Sequence, residues 1–100
     1  MIVAGYDPIK GGEVYQVALG GFLSKDKIAL TGSGSTYITG YCDTHFKENM
    51  TKEECKTFLL NAVSLAIYRD GSSGGVVRIM DVTKNGAKRE YYGHNELPIQ

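Results

Sequence analysis

Apolar positions along the chain fall into two patterns. The first is a helical stripe. From residue 51 to 70, apolar side chains recur at Cys55, Phe58, Leu59, Ala62 and Ala66, and Leu60, Val63 and Ile67 widen the stripe. So wide a stripe predicts a helix packed between neighbours. Thr51 and Glu54 have the spacing of a capping box, and Met50 and Cys55 that of a hydrophobic staple. Asp70 falls at the helix C-terminus, and Gly71 suits the left-handed position that follows. A second helix is expected over 36–47. Its stripe is Tyr37, Ile38, Tyr41, Cys42, His45 and Phe46, and Gly40 within it suggests close approach of another backbone.

The second pattern is the short apolar run. Residues 1–6 (MIVAGY) predict a strand covered on both faces. Residues 13–19 (EVYQVAL) predict another, after a loop opened by Asp7-Pro8 and closed by Gly11-Gly12. Gly20-Gly21 breaks it. Phe22-Leu23 is a brief extended piece, 24–27 a turn and 28–31 (IALT) a short strand. Residues 76–83 (VVRIMDVT) and 88–92 (KREYY) predict a hairpin turned by the Asn-Gly of Lys84-Asn85-Gly86. The tail from Gly93 carries no pattern.

Strands, two helices, then strands again point to an α+β class: an antiparallel or mixed sheet with a pair of helices on one face. The apolar runs exceed what one helical layer can cover. A further segment of the same polypeptide, or a partner, is expected on the other side. The abrupt strand at Met1 fits the same expectation.

Charge narrows the functions. Eleven basic residues balance eleven acidic ones over 100 residues, so no basic field exists to hold nucleic acid. No apolar run approaches the roughly 18 residues of a membrane span. Cys42 and Cys55 fit no metal spacing, and both fall in predicted helices, as buried free thiols would.

Candidate chemistry concentrates at Asp70. A carboxylate at a helix C-terminus opposes the macrodipole. Either the NH and hydroxyl groups of the following Ser72-Ser73-Gly74-Gly75 turn satisfy it structurally, or chemistry requires it there. The turn Gly32-Ser33-Gly34-Ser35-Thr36 has the composition of an anion cradle but lacks the lysine of a phosphate loop. A plain helix entry, capped by Ser35 or Thr36, is the simpler explanation. His45 has no second ligand at metal spacing.

Four motifs in order resemble the C-terminal half of proteasome β subunits of the β1 type: GSGSTYITGYCD (32–43), MTKEEC (50–55), RDGSSGGVVR (69–78) and NELP (95–98). The likeness extends over essentially the whole chain. It implies a partial single domain over residues 1–100, half of the four-layer αββα sandwich of N-terminal-nucleophile hydrolases. It also implies a threonine protease whose nucleophile, an N-terminal Thr, lies in the other half together with its Asp and Lys partners. Carried over to this chain, Ser33, Asp70 and Ser73 match the supporting network around the threonine amine. Ile67, Asp70 and Ser73 match a backbone-carbonyl cation site found in some members. No cofactor is required. The implied partners are the missing N-terminal half, other α and β subunits in stacked rings, and a polypeptide substrate, in cytoplasm and nucleus. Nucleic acid and membrane are not among them. The chain alone is expected to be inactive. A truncated structural subunit and a small anion-binding α+β module are the alternatives.

Overall fold

The computed structural model describes residues 1–71 and 74–98. It contains strands β1 (Ile2–Asp7), β2 (Gly11–Val17) and β3 (Leu23–Asp26), helices α1 (Thr39–His45) and α2 (Lys52–Arg69), and strands β4 (Val77–Thr83) and β5 (Gly86–Tyr92). The class is α+β. The sheet is not single: β1-β2-β3 form one sheet and β4-β5 another. The chain divides into two compact units. One comprises Met1–Thr31 with Met80–Arg89, the other Gly32–Ile79 with Glu90–Gln100.

In the first unit, β1 and β3 both run antiparallel to β2, with Val3 opposite Tyr15 and Tyr15 opposite Lys25. Asp7 makes the first reversal. Its Oδ1 accepts the backbone N–H of Ile9 at 2.7 Å and of Lys10 at 3.1 Å, and Gly11 follows at φ +81°. Those two bonds hold the Asp7 carboxyl below its ordinary range. The second reversal explains a departure from the sequence reading. Ala18 N–H bonds Phe22 O, and Gly21, at φ +85°, donates to Ala18 O. The chain therefore turns back before Leu23, and the polar residues 24–26, expected as a turn, become an edge strand. Lys25 pairs with Glu13 across the sheet at 3.2 Å, and Tyr15 OH donates to the same carboxylate. Residues 28–31 form no strand; Leu30 O instead accepts from the Gln16 side chain at 2.9 Å. Nor is β1 covered on both faces: Ile2 through Tyr6 are exposed among the described residues.

The second unit holds the core. Ile38, Cys42, Phe58, Ala62, Ala66, Val77 and Leu97 are buried. Helix α2 begins at the expected capping box: Thr51 Oγ1 accepts the Glu54 N–H at 3.1 Å, and Glu54 Oε1 accepts the Thr51 N–H at 3.0 Å. Its apolar stripe is buried at Phe58, Ala62 and Ala66, whereas Leu59 is exposed. Helix α1 packs on α2 through Phe58, which lies 6.2 Å from Tyr41 and 6.1 Å from Phe46 between ring centroids. Burial raises the Cys42 thiol. Both cysteines are free, but Cys55 is only half-buried. Gly40 meets nothing within 4 Å where a Cβ would stand, so no close backbone approach explains it. Asn49, at φ +61°, turns the chain between the helices, a conformation Asn tolerates.

Lys56 joins α2 to the end of β5. Its ammonium lies 2.9 Å from Glu90 Oε1, and Tyr92 OH donates to Glu90 Oε2 at 3.2 Å. The Glu90 bond and Tyr92 push the Lys56 pKa upward and keep the ammonium charged. The hairpin turn differs in detail from the expected Asn-Gly pair. Lys84 and Asn85 are the turn residues, and Gly86, at φ +111°, already opens β5. A positive φ on the glycine alone is the pattern of a turn closed by a glycine bulge. In the tail, Gly93 N–H bonds Glu96 Oε1 at 3.0 Å across a 3₁₀ turn, His94–Glu96, and Leu97 is buried behind it.

Candidate functional site

Two elements of the second unit build the site. Helix α2 ends at Ala66 to Asp70, where the Asp70 N–H still reaches Ala66 O at 2.9 Å. Asp70 itself leaves the helical conformation, with φ −99° and ψ 113°, and its side chain is buried. Gly71 does not take the left-handed conformation the sequence suggested; the positive φ falls later, at Gly75. An extended residue at the helix end already changes chain direction, so no left-handed cap is needed.

The other element is the glycine turn before α1. Gly32, at φ +96°, bends the chain, and Ser35 N–H closes the turn on Gly32 O at 2.9 Å. A 3₁₀ turn over Ser35–Tyr37 then leads into α1, which starts at Thr39 rather than Thr36. Neither Ser35 nor Thr36 is the cap. Gly34 takes the cap position of the 3₁₀ turn and Ile38 that of α1, both without a side-chain bond.

The turn's remaining hydroxyl decides the chemistry. Ser33 Oγ donates to Asp70 Oδ2 at 2.6 Å, across 37 residues of sequence. That is the length of a strong O–H to carboxylate bond. The arrangement is asymmetric: the carboxylate is buried and the serine is exposed. A carboxylate opposing the helix dipole is costly to bury unless donors reach it, and Ser33 is such a donor. Because its proton goes to Asp70, the Ser33 oxygen keeps its lone pairs to accept from a second group, such as an amine. A turn that faces its own chain's carboxylate in this way is poorly suited to cradle an external anion.

Of the residues the sequence singled out, Ser33 and Asp70 come together. Ile67 is half-buried in the last turn of α2, where carbonyls lack helical donors. Carbonyl oxygens suit a hard cation. Ser73, the third residue of both the network and the cation site, lies outside the described residues. Among the described residues no group of three or more His, Cys, Asp or Glu could hold a metal ion, and no helix is long and apolar enough to cross a membrane. His45 stands apart from the site, stacked on Tyr41 at 4.1 Å. Sequence reasoning passed over Ser64. It is fully buried in α2, and its hydroxyl has no hydrogen-bond partner among the described residues. Its one signal was a polar residue inside the run AVSLAI.

Comparison with known proteins identifies a family. Residues 1–82 match the Proteasome family, described as proteasome subunit. The chain is 53% identical over 98 residues to proteasome subunit beta type-6 of Dictyostelium discoideum, covering 98% of this chain and 46% of that protein. It is 50% identical over 102 residues to a probable proteasome subunit beta type-1 of Schizosaccharomyces pombe, covering 99% and 45%. With proteasome subunit beta type-1 of Saccharomyces cerevisiae it is 53% identical over 89 residues, covering 89% and 41%. The chain thus spans less than half the length of these curated relatives. A family match over most of the chain, joined to relatives at this identity, places the chain in the proteasome subunit family.

Proposed function

We propose that this chain is the C-terminal part of a β1-type subunit of the 20S proteasome core, a threonine-type endopeptidase with a preference for cleavage after acidic residues. Residues 1–100 form half of one αββα sandwich domain, and the N-terminal half of the same subunit supplies the nucleophilic Thr and the remaining layers. This chain contributes the support: Ser33, Asp70 and Ser73 orient the threonine amine that acts as base, and the carbonyls of Ile67, Asp70 and Ser73 hold a structural cation. No cofactor enters the reaction. The subunit works in stacked rings with other α and β subunits, on polypeptide substrate, in cytoplasm and nucleus. Without a nucleophile the chain alone forms no acyl-enzyme.

The observation that carries this reading is the 2.6 Å bond from exposed Ser33 to buried Asp70. A terminal amine acting as base must be held by fixed acceptors, and a serine whose proton is already committed is one. The test is Asp70→Asn in the complete subunit, assembled into particles with the threonine already exposed. Peptidase rate should fall at least about tenfold, roughly 1.4 kcal/mol of transition-state stabilisation, with assembly intact. The pH–rate profile should move to lower pH, because loss of a nearby carboxylate lowers the pKa of an ammonium. An unchanged rate with a lowered melting temperature would leave Asp70 a structural residue only.

A further inference from the structure

A cleft of about 560 Å³ opens between α1 and the first half of α2, away from Ser33 and Asp70 in sequence and lined by none of their neighbours. Its aromatic side is a stack. The Tyr41 ring lies 4.1 Å from His45 at 19° and 6.2 Å from Phe58 at 10°. His45 Nδ1 is 3.0 Å from Tyr41 O. A carbonyl only accepts, so Nδ1 is the donor in this contact. The cleft's charged residues are Glu53, Glu54 and Lys47, and Thr44, Thr57 and Asn61 add neutral polar groups. Glu53 has no hydrogen-bond or ion-pair partner among the described residues. Glu54 commits Oε1 to the Thr51 N–H, a bond that lowers its pKa and keeps it ionised.

Two carboxylates against one ammonium give the lining a net negative charge. The N-terminus of α2 would otherwise favour an anion, but Glu53 and Glu54 already occupy its first turn. A neutral apolar guest would stack and leave the carboxylates unanswered. An ammonium would meet the carboxylates and can sit over a ring, as Lys56 does over Tyr92 at 5.8 Å, but as a point charge it neither lies flat on a ring nor forks onto a carboxylate. A guanidinium does both, because it is planar, stacks on aromatic faces and forks onto a carboxylate. His45, Lys47, Glu53 and Glu54 are exposed over a buried Phe58. A drug-sized ligand normally loses most of its surface to its pocket, and so open a cleft encloses much less. It suits a side chain presented by another protein surface.

We propose that this cleft receives an arginine side chain of a partner chain, its guanidinium against the Tyr41–His45 stack and forked onto Glu53. The assignment does not depend on the threonine-site reading, since no residue is shared.

The test titrates the isotope-labelled complete polypeptide carrying this chain with N-acetyl-arginine amide, following ring resonances of Tyr41, His45 and Phe58. Saturable shifts are expected with this probe and much weaker ones with N-acetyl-lysine amide. Opposite charge changes should act oppositely: Glu53→Gln about threefold weaker, Lys47→Gln about threefold tighter, the scale of exposed charge pairs. A folding defect would not produce that pair of signs. Equal response to the lysine probe, or no saturable shift at all, overturns the proposal. So does markedly tighter binding of free arginine than of the capped form, which would make the guest a free amino acid held through its own carboxylate at Lys47.

Discussion

The two units of this chain treat similar apolar content in opposite ways. All seven buried apolar residues among those described lie in the second unit, Gly32–Ile79 with Glu90–Gln100. The first unit is well paired by backbone bonds, yet Met1, Ile2, Val3, Tyr6, Phe22 and Leu23 stay exposed. Hydrogen bonds settle a sheet's register, but a sheet gains most of its stability from burying a face. The helical unit has its own core; the three-stranded sheet has ladders and no core. An apolar face of this kind is a surface for association.

The contrast can be broken at its strongest point. Phe58→Ala removes the ring that both Tyr41 and Phe46 pack against. It should cost about 3–5 kcal/mol in urea unfolding followed at the helices. A loss below 1 kcal/mol would mean that the helical unit does not rest on that contact. Thr51→Ala tests the same unit at its edge, where losing the cap should cost about 1 kcal/mol. Its pH counterpart is Glu54. The Thr51 N–H lowers this carboxyl from its ordinary value of 4.5, so the contribution is present above that value and is lost as pH falls through the lowered folded pKa. Stability should drop along this acid limb, and Glu54→Gln should flatten it. The smallest effect belongs to the sheet. Ile2→Thr in this 100-residue chain should change stability by less than about 0.5 kcal/mol, as for other exposed positions. Repeating the substitution in a longer polypeptide sharpens the comparison: a cost of about 2 kcal/mol there would show that Ile2 is covered.

Legibility followed the same division. Helix α2 and its capping box were readable because local bonds and a 3.6-residue stripe determine them. Asp70 was readable as an oddity, a carboxylate at the wrong end of a dipole, though the sequence offered two explanations. Its partner Ser33 came only through family resemblance, since a contact across 37 residues leaves no local trace. The sheet was misread where polarity was taken for turn. Residues 24–26 are polar because β3 is an edge strand, and the true reversal lies earlier, at Gly20-Gly21. Residues 28–31 look like a strand in composition, but their neighbour is the Gln16 side chain and not a backbone ladder. The cleft residues were invisible as a group, because Tyr41, His45 and Glu53 share a surface only once α1 folds back on α2.

The Ser33–Asp70 bond also closes a ring of chain. The two residues bracket both helices, so the hydrogen bond clasps the start of one to the end of the other. Closing a loop of that length costs entropy that a single hydrogen bond does not repay; docking of the helix pair has to come first. The carboxylate thus acquires its serine only after Phe58 has found Tyr41 and Phe46. Timing follows from this geometry. A polypeptide caught before its helices dock holds Asp70 apart from Ser33, so their contact is a late product of folding rather than a local property of either turn.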